Sequence, residues 1–284
     1  MPISSAILSL LTQKYPHCTG LLDAFAPLLD ARSALVDALP PPALPQRDEA
    51  AFATGAPLVP PCKEHLSSYL DAPLLEAAPH AIVRAASKGF PLLAEDFARL
   101  ETLLKENKSA CRALAAYPLK NMTHRVPFWA KKHAQNPHAA SILSAHMAAT
   151  AARRVAVAAA NTPLPAWEKS HCPVCGSTPH AGYLHNTEGQ RSLQCSLCGH
   201  AWRFSRTACP FCGDASPDKR QVFYTDAEPS ARAEGCDVCQ RYLLVPDMRA
   251  SLDIPLELLL LCLMPLDLLM QEKGYLPGPH AAAS

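Results

Sequence analysis

The run Cys172-Pro-Val-Cys175-Gly176 is followed by Cys195-Ser-Leu-Cys198-Gly199, Cys209-Pro-Phe-Cys212-Gly213 and Cys236-Asp-Val-Cys239-Gln240. Each Cys-x-x-Cys pair can hold one metal ion through both sulfurs from a single tight turn, and two pairs complete a tetrahedral four-thiolate site. Eight cysteines in four such knuckles fit two closed sites. After the second cysteine the chain must turn sharply so that backbone N–H groups point at the sulfurs. Glycine takes the positive φ of that turn without steric cost, and three of the four knuckles place one there. Proline after the first cysteine of two knuckles fixes the entry.

The alternatives to metal are weaker. A thioredoxin-type redox pair occurs once, opening a helix in a βαβ setting. The surroundings here are rich in Gly, Pro and Ser and lack helical periodicity. A disulfide framework suits short secreted chains, and the N-terminus has no basic region or cleavage site of a secretory signal. Sequential pairing leaves 19 residues between Cys175 and Cys195 and 23 between Cys212 and Cys236. Both gaps suit a rubredoxin-like zinc ribbon with each knuckle on a β-hairpin tip. An interleaved arrangement stays open at this stage. Iron and zinc both accept tetrahedral thiolates, so the sequence implies two metal ions without choosing between them.

Working outward, a chain of 284 residues has room for two or three domains and a sizeable core. Its net charge of +1 gives no global attraction to polyanions. Upstream of the knuckles the pattern is helical. Leu21, Phe25, Leu28, Leu35 and Leu39 recur at helical spacing, with Pro27 expected to kink that helix or shift its start. Leu93, Phe97, Leu100 and Leu104 form a cleaner stripe, and residues 139–160 read as an alanine-dense, closely packed helix. Proline-rich breaks at Pro40-Pro41-Pro42, Pro57–Pro61 and Asn136-Pro137 separate these stretches.

Composition changes near Thr162-Pro-Leu-Pro165, after which strand-like runs such as Gln221-Val-Phe-Tyr224 and Tyr242-Leu-Leu-Val245 appear. The apolar stretch Ile254–Met270 is short, broken by Pro255 and Pro265, and carries Glu257 and Asp267. It reads as a buried helix, with Asp253 as its N-cap, rather than a membrane span. The expected architecture is multidomain α+β: a helical bundle, two tandem rubredoxin-like zinc-ribbon modules and a C-terminal helix. The expected boundaries are 1–166 for the helical domain, 167–207 and 208–248 for the two modules, and 249–284 for the helix and a disordered tail.

His171, His180, His185 and His200 crowd the ribbons, but each site already has four thiolates, so they are expected to be solvated or supporting groups. His124, His133, His138 and His146 lack any His-Glu-x-x-His pattern and read as structural. Cys18, Cys62, Cys111 and Cys262 have no neighbouring ligand pair and read as small buried hydrophobes. Arg203 and Arg206 follow the second knuckle and either offset thiolate charge or serve the surface. No Gly-x-Ser-x-Gly, P-loop or Gly-x-Gly-x-x-Gly motif is present; the expected role is that of a binding protein, not an enzyme. Between residues 171 and 248, seven basic residues stand against eight acidic ones, and two divalent four-thiolate sites take the balance to about −5. A phosphate-binding surface should be basic, which disfavours nucleic acid.

The run Cys172-Pro-Val-Cys-Gly-Ser-Thr-Pro179, then Leu193-Gln-Cys-Ser-Leu-Cys198, then Trp202 and Arg206 ahead of Cys209, resembles the FdhE family of formate dehydrogenase accessory proteins. Ala233-Glu-Gly-Cys-Asp-Val-Cys239 with Tyr242, and Leu266-Asp-Leu-Leu-Met270 with Gly274-Tyr275, continue the likeness over roughly residues 167–275. The resemblance implies a cytoplasmic maturation protein that binds the catalytic subunit of a molybdenum-dependent formate dehydrogenase. It implies the eight knuckle cysteines as ligands and iron as the usual metal; the charge balance gives no expectation of a nucleic-acid partner, and the short, proline-broken apolar stretch none of a membrane partner. The alternative is a rubredoxin-like redox protein serving the same dehydrogenase. Two features depart from the family pattern: Gln240 where the other knuckles have glycine, and an unusually apolar, proline-broken stretch from Asp253 to Pro265.

Overall fold

The computed structural model describes residues 3–59, 65–160, 164, 167–226, 228–250 and 253–278. Cys62, the Pro60–Pro61 end of the second proline break, Thr162, Pro163 and Pro165 of the composition change, and the last six residues lie outside them. Two compact units emerge: residues 1–8, 19–47 and 59–162 in one, and 9–18, 48–58 and 163–284 in the other.

The first unit is helical. Its long members are α2 (Thr19–Ala38), α5 (Ala72–Gly89), α6 (Ala94–Glu106), α7 (Lys108–Leu119), α8 (Val126–Lys132) and α9 (Pro137–Ala159), with the short α4 (His65–Ser68) between α2 and α5. Pro27 lies inside α2 and neither starts nor ends it. Phe97, Leu100 and Leu104 of the predicted stripe are fully buried on α6. On α9 the Asn136 side chain accepts hydrogen bonds from the backbone N–H groups of His138 and Ala139, and Pro137 fills the first turn, where a missing N–H costs nothing. Its alanines let neighbouring helices approach closely. The same closeness recurs at Gly89, where an added Cβ would lie 2.1 Å from the carbonyl oxygen of Ala24 on α2. Arg154, buried on α9, forks onto both carboxylate oxygens of Asp71 at 3.0 and 2.8 Å and donates to the carbonyl of Pro40. Asp71 at the same time caps α5 by accepting from the Leu74 N–H.

The second unit is built on one sheet of seven strands: β1 (Pro179–His185), β2 (Gln190–Cys195), β3 (Ala201–Arg203), β4 (Arg220–Thr225), β5 (Glu228–Cys236), β6 (Arg241–Pro246) and β7 (Leu276–Pro277). The order is β3-β2-β1-β6-β5-β4, with β7 beside one end of β6. The expected strands at 221–224 and 242–245 fall in β4 and β6. Each metal-ligand module runs knuckle, hairpin, knuckle, strand, and the two antiparallel repeats are joined where β1 meets β6 in parallel at Ala181 and Leu244. The second and fourth knuckles sit on strand-to-strand tips, whereas the first and third precede β1 and β4.

The C-terminal stretch is two helices rather than one. Helix α10 (Leu256–Cys262) ends at Leu263, and α11 (Met264–Glu272) restarts with Pro265 in its first turn. Asp253 does not cap α10; Pro255 takes that position without a side-chain hydrogen bond. Leu263, Leu266, Met270 and Tyr275 pack against Ala231, Ala233, Tyr242 and Leu244 of the sheet. Among the described residues, no helix is long and apolar enough to cross a membrane. Two elements from early in the chain complete this unit. They are the end of α1 (Ser5–Lys14) with the turn Pro16–Cys18, and α3 (Glu49–Thr54) with the segment after it.

Candidate metal centres

The eight knuckle cysteines converge in two groups: Cys172, Cys175, Cys195 and Cys198, and Cys209, Cys212, Cys236 and Cys239. Within each group the sulfurs all lie within 4.8 Å of one another. Sequential pairing is therefore the one the fold adopts. Across the first cluster Cys172 and Cys198 are 3.6 Å apart and Cys175 and Cys195 3.4 Å; across the second the two separations are both 3.7 Å. A tetrahedral ion with metal–sulfur distances of about 2.3 Å sets its sulfurs about 3.8 Å apart, whereas a disulfide needs about 2.05 Å. The spacing suits a shared metal ion and not cross-links.

The turns repeat the same geometry. The N–H at the position after each pair bonds back to the carbonyl of the first cysteine: Gly176 to Cys172, Gly199 to Cys195, Gly213 to Cys209 and Gln240 to Cys236. These four residues all adopt positive φ, at 73°, 70°, 78° and 55°. Gln240 thus occupies the glycine position in the glycine conformation. The turn aims backbone N–H groups at sulfur: Leu197 and Cys198 donate to Cys195 Sγ, and Phe211 to Cys209 Sγ, each at 3.4 Å.

Electrostatics point the same way. Burial pushes the Cys172 and Cys198 thiols well up, while S–H donation from Cys172, Cys195 and Cys198 holds Cys175 well down. Four thiolates brought this close repel one another and need a cation among them. No histidine or carboxylate joins either group among the described residues. Instead His171 Nε2 donates to the carbonyl of Gly55, while His180 and His185 pair with Gln194 and Ser192 across their hairpin. Arg203 and Arg206 are exposed on the surface.

The two clusters differ in cover. All four cysteines of the first are buried, whereas in the second Cys212 is exposed and Cys239 half-buried. The first is clasped by residues 52–58 and the start of the module. The Leu58 N–H donates to the carbonyl of Pro173, Trp167 stacks on Phe52 at 4.8 Å, and the indoles of Trp167 and Trp202 donate to the carbonyls of His171 and Lys169. The second is clasped by residues 275–278. The Leu276 N–H donates to the Gln240 carbonyl, and the Tyr275 hydroxyl donates to Asp237, which also accepts from Gln221 at 3.0 Å. Gly278 lies so close to Phe211 that a Cβ there would meet the ring at 2.1 Å. The four-cysteine grouping is legible in the sequence, whereas neither clasp is.

Comparison with known proteins gives a consistent result. Residues 171–206 match the family described as FdhE, central domain. A "Protein FdhE homolog" of Aquifex aeolicus is 34% identical over 114 residues, covering 39% of this chain and 40% of that protein. A homolog from Haemophilus ducreyi is 37% identical over 111 residues, covering 38% and 36%, and "Protein FdhE" of Escherichia coli is 32% identical over 117 residues, covering 38% and 35%. The matched stretches thus span 40% or less of these relatives' own length. The crystal structure of the FdhE protein from Pseudomonas aeruginosa superposes with a TM-score of 0.68 at 22% identity, covering 97% of this chain and 92% of that one, and so shares its fold. The resemblance to the FdhE family that the knuckles carry is borne out.

Proposed function

We propose that this chain, similar to FdhE in sequence at its centre and in fold throughout, is an accessory protein for the maturation of a molybdenum-dependent formate dehydrogenase. In this reading it works in the cytoplasm, binds the dehydrogenase catalytic subunit and turns over no substrate of its own. The eight knuckle cysteines hold two metal ions, iron or zinc, that brace the sheet unit. The observation that carries the reading is the pair of four-cysteine clusters on one continuous sheet, set within a chain whose central segment matches the FdhE central domain. The acidic balance of the sheet region supports a protein partner over nucleic acid. Tagged protein recovered from formate-grown cells should carry the dehydrogenase large subunit. Recovery of nucleic acid with a steep salt dependence, and no dehydrogenase, would overturn this proposal.

A second reading is a rubredoxin-like redox protein. The exposure of Cys212 and the partial exposure of Cys239 favour it, since an electron must leave through a cluster with little cover. An optical spectrum of protein purified without oxygen separates the two. Thiolate-to-iron(III) bands that bleach reversibly on reduction favour redox work, and a colourless zinc form favours a purely structural role.

A further inference from the structure

Cys18 and Cys262 stand 244 positions apart in sequence, yet their sulfurs lie 2.8 Å from one another. Cys18 closes the turn Pro16–Cys18 after α1, and Cys262 is the last residue of α10. Both are buried. Their surroundings hold them in place: His17 Nε2 donates to the Cys262 carbonyl at 3.0 Å, and Lys14 and Tyr15 both bind the carboxylate of Glu228 at the start of β5. The separation is shorter than any of the cross-knuckle sulfur contacts, which are 3.4–3.7 Å. It is within about 0.8 Å of a bonded pair. No third cysteine, histidine or carboxylate completes a metal-ligand group around them among the described residues. A sulfur pair at this distance with no site for an ion has the placement of a dithiol.

We propose that Cys18 and Cys262 form a reversible disulfide that locks residues 9–18 onto α10 under oxidising conditions. The oxidant is a small-molecule disulfide of the glutathione class. One protein thiolate attacks a sulfur of that disulfide, giving a mixed disulfide and releasing one small thiolate. The second protein thiolate then attacks the protein sulfur of the mixed disulfide and releases the other. Two protein thiols are oxidised to one S–S bond, one small disulfide is reduced to two thiols, and the two protons pass to the released thiolates. Burial raises the Cys262 thiol, so exchange runs through transient opening of residues 9–18. The pair therefore responds slowly, to sustained conditions rather than to a brief pulse.

The test uses the metal-loaded full chain in glutathione buffers of graded reduced-to-oxidised ratio, with and without urea below the unfolding midpoint. Samples are acid-quenched, alkylated, digested and mapped by mass spectrometry. The expected result is a Cys18–Cys262 linked peptide that rises with oxidised glutathione, unchanged metal content, and a Tm increase of roughly 5–15 °C. Cys18→Ser and Cys262→Ala should each abolish both the linkage and the Tm increase. Full alkylation of both cysteines at every ratio, including in urea where backbone exchange shows residues 9–18 opening, would overturn the proposal. Linkage of either cysteine only to knuckle cysteines would do the same. The mapping on unsubstituted protein decides the matter even if a variant fails to fold.

Discussion

Arg191 of β2 and Glu234 of β5 form an ion pair that is fully buried on the arginine side and nearly so on the glutamate side. They belong to different metal-ligand modules, and the pair crosses the junction where β1 meets β6. Arg191 also donates to the carbonyls of Ser205 and Ala208 in the linker between modules and lies over the Phe204 ring. Glu234 accepts further from Arg220 and Arg232. Burial lowers the Arg191 pKa from the ordinary arginine value, and Glu234 opposes that shift.

Removing one partner of a buried pair leaves the other charge without compensation, at about 3–5 kcal/mol. Glu234→Ala leaves three guanidinium groups facing one another and should cost that amount in urea denaturation. Arg191→Met should cost less, because Arg220 and Arg232 still answer Glu234. Equal losses for the two variants would show that the network is not organised around Glu234.

Gln240 provides a second expectation. A non-glycine residue at φ 55° stores about 1 kcal/mol or more, and this turn closes the cluster with the poorer cover. Chelator should strip the Cys209–Cys239 cluster before the Cys172–Cys198 cluster, and Gln240→Gly should slow that loss several-fold. Timed chelation with site-resolved thiol labelling reads the order. First release from the Cys172–Cys198 cluster would contradict it.

A third concerns pH. Burial acts to raise the Glu228 carboxyl, but the Ser230 and Tyr15 hydroxyls and the Lys14 ammonium outweigh it and hold the group below the usual glutamate value. A carboxyl depressed on folding adds stability above its unfolded pKa and loses it as pH falls through the folded one. Glu228→Gln should therefore be less stable than the parent at neutral pH, with the gap closing below about pH 4.5. A gap that stays constant from pH 7 to pH 3 would show that Glu228 acts by shape and not by charge.

Gly89 tests the helical unit. Any side chain there meets the α2 backbone, so Gly89→Ala should destabilise by about 1–3 kcal/mol despite alanine's better helix propensity. Thermal unfolding of the two proteins measures it, and a stabilised variant would mean that α2 and α5 separate easily.

Much of this was legible because knuckle chemistry is local. Four Cys-x-x-Cys turns carry their own geometry, down to the positive φ that Gln240 shares with three glycines. The helical stripe at Phe97, Leu100 and Leu104 was readable for the same reason: burial follows a short period. What escaped was set by contacts between distant segments. Nothing near Cys18 signals Cys262, nothing near Arg191 signals Glu234, and the clasp of residues 52–58 on the first cluster joins segments more than a hundred residues apart. The break at Leu263 was not anticipated: the apolar run reads as a single helix, but Pro265 has no N–H to continue the ladder of α10, and α11 restarts there.

Metal stoichiometry tests the central claim most directly. Protein purified anaerobically should contain two iron or zinc ions per chain by elemental analysis. Cys172→Ser with Cys175→Ser should leave one, Cys209→Ser with Cys212→Ser should leave one, and the four together none. Replacing Cys111 should change nothing. A parent value of one or zero, or a double variant that keeps both ions, would contradict the assignment of two four-cysteine metal sites.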